Sequence, residues 1–245
     1  MRFDVITLFP EMFGAVTDHG ITARARKRGL WSLNLWTPRD ETTDNHRTVD
    51  DRPFGGGPGM VMMAEPLAKT VDRIRVSGNK GKVVSFAPNG KKLSDEMVRQ
   101  WVSEGQDVIL VCGRYEGIDQ RFLDTYVDEV VSIGDFVLSG GELPAMTLID
   151  AIVRQIPGAI KELSTLDESF STGLLDAPHY TRPEVWREQT IPEILLTGHH
   201  ANIAKWTREQ SLKLTLQTRP DLIEKAEKDG KLTKADLKWI SLQKR

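Results

Sequence analysis

The chain has 245 residues, 39% of them hydrophobic and 28% charged, with a net charge of −2 at pH 7. That balance excludes a disordered or fibrous chain and points to one large domain, or a main domain with a smaller companion. It also excludes a globally cationic nucleic-acid binder, and the single Cys112 excludes an internal disulfide or a zinc site of the usual cysteine spacing.

The start, MRFDVITLFPEMF, lacks a basic stretch followed by a long apolar run, so no secretory signal is expected. No window reaches the apolar length of a membrane span. A lone thiol fits a reducing, cytoplasmic setting, and Cys112 itself reads as a small buried apolar residue.

In chain order, strands are expected at 3–8, 32–36, 83–87, 108–112 and 127–133. The run VILVC at 108–112 is continuously apolar, as a strand covered on both faces should be. Leu67, Val71 and Ile74 have helix spacing, and Met97, Val98, Trp101 and Val102 form a second helical face behind an N-cap at Ser94. Residues 145–156 read as a third helix, closed by Pro157-Gly158. Strands alternating with helices predict an α/β domain around a mostly parallel sheet. After about residue 160 the polar segment KELSTLDESFSTG reads as a linker. From Pro183 onward β-like runs disappear, Ile203, Trp206, Gln210 and Leu214 form a helical stripe, and Pro220 opens a further helix. The expected division is 1–159 as the α/β domain, 160–171 as a flexible linker and 172–245 as a small helical domain.

Three glycine clusters carry the strongest functional signal: Gly55-Gly56-Gly57-Pro58-Gly59, Gly113-Arg114-Tyr115-Glu116-Gly117 and Gly140-Gly141. Each is expected at or near the C-terminal end of a strand, where open α/β sheets place ligands. Glycine there exposes backbone N–H and C=O groups to a bound molecule. GGGPGMV has no Lys-Ser/Thr pair and no third glycine at dinucleotide spacing, which excludes a P-loop and a Rossmann fingerprint. The loops therefore suit an adenosine or amino-acid moiety better than a triphosphate, although tight turns alone would use the same residues.

A second group lies at 167–183, where Asp167, Glu168, Asp176, His179, Tyr180 and Arg182 crowd together. These residues could serve as acid/base machinery, but from the residues alone capping and surface ion pairs are the favoured reading. His199 and His200 are adjacent and cannot share a helix face as metal ligands, so no metal site is expected. Two basic clusters, Arg24, Arg26, Lys27 and Arg28, and Lys205, Arg208, Lys213 and Arg219, fit either RNA phosphates or a solvated face.

ITLFPEMF (6–13), TVDDRPFGGGPGMVMM (48–63), LVCGRYEGID (110–119), SIGDFVLSGGELPAMTLIDA (132–151) and SFSTGLLDAPHYTRPEV (169–185) together resemble the bacterial tRNA (guanine-N1)-methyltransferases of the knotted SPOUT class. The likeness is collinear from residue 3 to about 217 and weak over the last thirty residues. It implies a deep trefoil knot in the α/β domain, S-adenosylmethionine bound in that knot, and an obligate homodimer with active sites built across two subunits. The implied substrate is tRNA with guanosine at position 37, and the implied product is 1-methylguanosine. Carried over by position, the cofactor contacts fall at Pro88, Gly113, Tyr115, Glu116, Ile133, Gly134, Asp135, Phe136, Val137, Leu138, Gly140 and Gly141. Arg154 stands at the position of the family's catalytic arginine. The family's catalytic aspartate precedes Ser-Phe; here Glu168 holds that position, with Asp167 one residue earlier, so Glu168 is the expected base and Asp167 its understudy. Asp50, Arg52, Gly59, Ser169, His179, Thr181 and Arg182 match motif positions expected to place tRNA or order the linker. Lys205, Arg208 and Lys213 are expected phosphate contacts, while Thr207 stands where the family often has arginine. Participation of Mg2+ is left open. The alternatives are a SPOUT enzyme for another RNA and an RNA-binding protein without catalysis.

Overall fold

The apolar run at 108–111 is the centre of the sheet, and its alternating side chains feed two separate cores. In the computed structural model, which describes residues 1–160 and 168–243, the chain forms two compact units, Met1–Lys161 and Glu162–Arg245. The first unit holds β1 (Arg2–Ile6), α1 (Gly14–Thr17), α2 (Gly20–Lys27), β2 (Ser32–Trp36), the short pair β3 (Asp50–Asp51) and β4 (Val61–Met62), and α3 (Ala64–Val76). It continues with β5 (Lys82–Lys92), α4 (Asp95–Glu104), β6 (Val108–Val111), α5 (Gln120–Tyr126), β7 (Glu129–Ser132) and α6 (Glu142–Val153). Five strands pair in the order β2-β1-β6-β5-β7, all parallel.

All four residues of β6 are buried. Val108 and Leu110 pack with Phe3, Val5, Trp101 and Ile149 under α1, α2, α4 and α6. Ile109 and Val111 pack with Ile74, Leu67 and Phe122 under α3 and α5. The period-2 alternation of a strand thus gives each helical layer its own half of one apolar run. Ser94 caps α4 as expected, its hydroxyl accepting from the Met97 N–H at 3.2 Å.

Two sequence expectations change in this unit. The strand expected to stop at residue 87 runs on to Lys92, because Ala87–Gly90 form an irregularity after which Lys91 and Lys92 rejoin β7. The helix expected from residue 145 begins at Glu142 and ends at Val153. Pro144 lies in its first turn, where a backbone N–H has no intrahelical partner to lose.

In the second unit, α7 (His200–Thr218), α8 (Pro220–Lys228) and α9 (Lys234–Gln243) close on a core of Leu174, Leu212, Ile223, Ala226 and Ile240. Among the described residues, no helix is long and apolar enough to cross a membrane. The unit also contains β-structure that the sequence reading did not expect: β8 (Val185–Trp186) and β9 (Gln189–Thr190) pair antiparallel. Arg187 and Glu188 turn the chain between them with φ of 46° and 68°. Two successive left-handed residues make the turn that tight hairpins favour, and neither residue is the glycine or asparagine by which such a turn is read. Residues 168–171 are not free linker: the Phe170 N–H donates to the Leu174 carbonyl at 2.7 Å, and Ser169 Oγ accepts from the Asp176 N–H at 2.9 Å. The remainder of the expected linker, 161–167, lies outside the described residues.

Candidate active site

A cavity of about 360 Å³ opens at the C-terminal edge of β5, β6 and β7, within the roughly 300–1,000 Å³ of small-molecule sites. Three chain segments build it: the β5 irregularity with Pro88, the loop after β6 from Gly113 to Ile118, and the loop after β7 from Ile133 to Gly141. Eleven of the twelve residues expected around a cofactor line it, namely Pro88, Gly113, Tyr115, Glu116, Ile133, Gly134, Phe136, Val137, Leu138, Gly140 and Gly141. Asp135 is exposed and outside the lining.

Close backbone approach explains why glycine closes this wall. The Gly141 N–H donates to the Gly113 carbonyl at 2.8 Å. A Cβ on Gly141 would stand 2.7 Å from Cys112 Cα and 2.9 Å from the Gly113 nitrogen, so no larger residue fits. The cavity therefore presents main-chain groups on two facing loops, a cradle suited to a ligand with polar edges.

Arg114 and Glu142 hold these loops together, and the glycine-centred sequence reading missed both. Glu142 is fully buried in the first turn of α6. It accepts from Arg114 Nε at 2.8 Å and from the Thr7 hydroxyl at 2.8 Å. Arg114 also donates to the Ser139 carbonyl at 3.2 Å, and its guanidinium lies 4.4 Å from the centroid of the Phe9 ring. One side chain thus ties the exits of β1 and β6 to the 139–142 segment. An acid opening a helix after two glycines ordinarily reads as a solvated first-turn charge, so only the arginine flanked by loop glycines could have signalled the pair.

Burial pushes the Cys112 thiol well above its ordinary pKa, and the nearby Glu142 carboxylate raises it further. The thiol is therefore neutral across the physiological range and unreactive. Iodoacetamide at pH 8 should leave the native protein unmodified and alkylate it fully in denaturant. Labelling of the native protein at the free-thiol rate would contradict this environment.

Tyr115 sits at the cavity with φ of 59°, a left-handed conformation held against its steric cost. Burial raises its phenol pKa, as do the charge of Asp50 and the hydrogen bond to it, while Arg39 opposes the shift. Asp50, expected to place tRNA, is thus tied to a cavity-lining side chain. Arg52 lies two residues further along and is exposed. The Gly55–Gly59 cluster follows the strand β3, but that strand belongs to the separate β3–β4 pair and not to the parallel sheet. It lies in the loop between β3 and β4 and outside the cavity lining. It does reach the outer face of the wall: the Glu116 side chain lies where a Gly59 Cβ would be, and the Glu116 N–H donates to the Met60 carbonyl at 2.9 Å.

Arg154 caps the C-terminus of α6, its N–H donating to the Asp150 carbonyl at 3.1 Å. Glu168 belongs to the second unit, half-buried, and its backbone carbonyl accepts from both the N–H and the hydroxyl of Ser171. Asp167 lies outside the described residues. His179 is exposed and pairs with Asp176 at 2.9 Å, and Thr181, Arg182 and Lys213 are exposed. Lys205 faces Glu209 loosely at 3.9 Å on an exposed helix face. Arg208 differs from these. Its Nε and Nη2 donate to the two oxygens of Asp236 at 3.2 and 3.0 Å, so its guanidinium already has a carboxylate inside the unit.

Burial alone would raise the Asp236 pKa, but hydrogen bonds from Arg208 and from the Thr233 N–H and hydroxyl outweigh it and leave the carboxyl low. A lowered folded-state pKa contributes stability that is present above the unfolded value near 3.9 and is lost as pH falls through the folded value. Asp236→Asn should therefore lower the urea midpoint at pH 7, and the gap to wild type should narrow below about pH 4. A gap that does not change with pH would show that the ion pair does not anchor α9. Among the described residues, no group of three or more His, Cys, Asp or Glu side chains is placed to hold a metal ion.

The sequence profile of the family described as tRNA (Guanine-1)-methyltransferase TrmD matches residues 1–225. A protein of Janthinobacterium sp. (strain Marseille) named tRNA (guanine-N(1)-)-methyltransferase is 53% identical over 247 residues, covering 98% of this chain and 99% of the relative. A Cupriavidus necator protein of the same name is 56% identical, covering 98% and 95%. One from Burkholderia cenocepacia (strain J2315) is 54% identical over 248 residues, covering 98% and 93%.

Proposed function

The chain belongs to the tRNA (guanine-1)-methyltransferase family, and from that premise we propose that it methylates N1 of guanosine 37 in tRNA using S-adenosylmethionine. The observation that carries this reading is the cavity at the ends of β5, β6 and β7, walled by glycine loops that offer backbone groups to an adenosine and amino-acid ligand. Pro88, Gly113, Tyr115, Glu116, the 133–138 segment, Gly140 and Gly141 would hold the cofactor. When bound, the cofactor supplies a methyl group on a sulfonium whose leaving thioether needs no acid.

The protein's own task is to prepare the nucleophile. N1 of guanine keeps its proton near neutrality, and removing it costs about 3 kcal/mol, roughly two pKa units at about 1.4 kcal/mol each. Glu168 accepts that proton as general base, a role worth roughly 10²–10⁴-fold. Charge then develops toward O6, where the Arg154 guanidinium stabilises it. Asp50, Arg52, Ser169, His179, Thr181 and Arg182 place the RNA, with Lys205 and Lys213 on phosphates. Arg208 joins them only by sharing or leaving Asp236.

We extend the family's trefoil knot, and its homodimer with composite active sites, to this chain. Cytoplasmic tRNA is the fitting substrate pool. The test is transfer from methyl-labelled S-adenosylmethionine to tRNA, followed by digestion to nucleosides. Label in 1-methylguanosine supports the reading; label in a 2′-O-methylated nucleoside overturns it.

A further inference from the structure

Phe54 is fully exposed, although aromatic rings are strongly favoured at buried or partnered positions. It stands on the loop closed by the β3–β4 pair, where Asp50 opposes Met62. The three residues after it, Gly55, Gly56 and Gly57, have φ of 86°, 79° and 117°, and no atom lies within 4 Å of the place where a Cβ would be on any of them. The glycines face open space and the ring itself is fully exposed, so a flat partner can reach it. Arg52, two residues earlier, is exposed and has no acidic partner for its guanidinium among the described residues. The acids nearby are otherwise engaged: Asp51 accepts from the Arg52 N–H at 2.7 Å, and Asp50 is tied to the Tyr115 phenol.

The loop is also joined to the cavity. Its far end meets the cavity wall through the Glu116 N–H on the Met60 carbonyl, and through the Glu116 side chain over Gly59. An exposed aromatic two residues from an exposed arginine, on a loop whose far end meets the cavity wall, is the kind of pairing that holds unstacked nucleotides, the ring on the base and the cation on a phosphate.

We propose that Phe54 is a stacking platform for an unpaired base next to the methylated guanine, with Arg52 on the adjoining phosphate. The inference rests on the tRNA methyltransferase reading and adds a binding residue to it. Extruding a base for N1 chemistry costs stacking with its neighbours, and a ring at the rim restores part of that loss for the nucleotide left behind.

The experiment measures KM for tRNA and kcat for wild type and for Phe54→Ala, Phe54→Tyr, Phe54→Trp and Phe54→Leu, with sedimentation of each variant. Loss of one stacked base predicts that Phe54→Ala raises KM for tRNA by about 5- to 100-fold with a smaller change in kcat. Tyrosine and tryptophan should restore KM and leucine should not. A transcript abasic at the stacked position should bind wild type and Phe54→Ala alike. An unchanged KM in Phe54→Ala overturns the proposal. So does a Phe54→Ala variant that dissociates and is restored by leucine, because the ring would then contact a second copy of the chain. Failure of wild type to methylate any tRNA would instead overturn the methyltransferase reading itself.

Discussion

Glu168→Gln should lower kcat for methyl transfer by about 10²–10⁴-fold while leaving KM for tRNA close to wild type. The amide keeps the shape of the carboxylate and most of its hydrogen bonds but cannot take the N1 proton at neutral pH. The loss therefore falls on the chemical step, and a pure kcat effect is its signature. Asp167→Asn, one residue earlier, should leave turnover largely intact. The choice of Glu168 is part of the proposal; in the structure its carbonyl accepts from both the N–H and the hydroxyl of Ser171. That backbone position is where the family carries aspartate. Glu168→Asp, which restores the family residue and shortens the arm by one methylene, should remain active. Single-turnover rates with saturating cofactor decide the matter: abolition by Asp167→Asn alone would transfer the role to Asp167.

Gly141→Ala should abolish cofactor binding and lower the thermal midpoint. A methyl group at this position meets Cys112 Cα and the Gly113 nitrogen, both main-chain atoms of the segment leaving a fully buried strand. Backbone of that kind cannot retreat as a flexible side chain can. The cost is that of overpacking, typically about 1–3 kcal/mol, with the cavity wall displaced in addition. The hydrogen bond from Gly141 to the Gly113 carbonyl breaks in the same event. Calorimetric titration of the folded variant with S-adenosylmethionine tests this, and wild-type affinity would show that the wall yields without closing the cavity. Gly56→Ala makes a useful contrast, because it strains a left-handed residue but meets no neighbour.

These two positions mark what the sequence makes legible and what it hides. The centre of the sheet was readable because VILVC carries the apolar density of a strand covered on both faces, and β6 is buried at every residue. The cavity was readable because Gly113, Gly140 and Gly141 follow such strands. Three features were hidden, each for a local reason. Pro88 read as a strand end, yet β5 absorbs it in an irregularity and continues to Lys92. Arg187 and Glu188 make a hairpin turn without glycine or asparagine, so β8 and β9 left no mark. The Arg114–Glu142 pair was invisible because burial of a first-turn glutamate depends on Thr7 and Arg114, which are distant in sequence. The Gly55–Gly59 cluster carried the opposite error, since its glycines serve an exposed loop beside the cavity rather than the cavity itself.

The family to which the chain belongs is that of tRNA (guanine-N1)-methyltransferases, and the proposal narrows the target to guanosine 37. The most direct test gives the protein methyl-labelled S-adenosylmethionine and two tRNA transcripts that differ only at position 37, one with guanosine and one with adenosine. Label should appear in the guanosine transcript, recovered as 1-methylguanosine, and not in the other. Equal incorporation into both transcripts would contradict it.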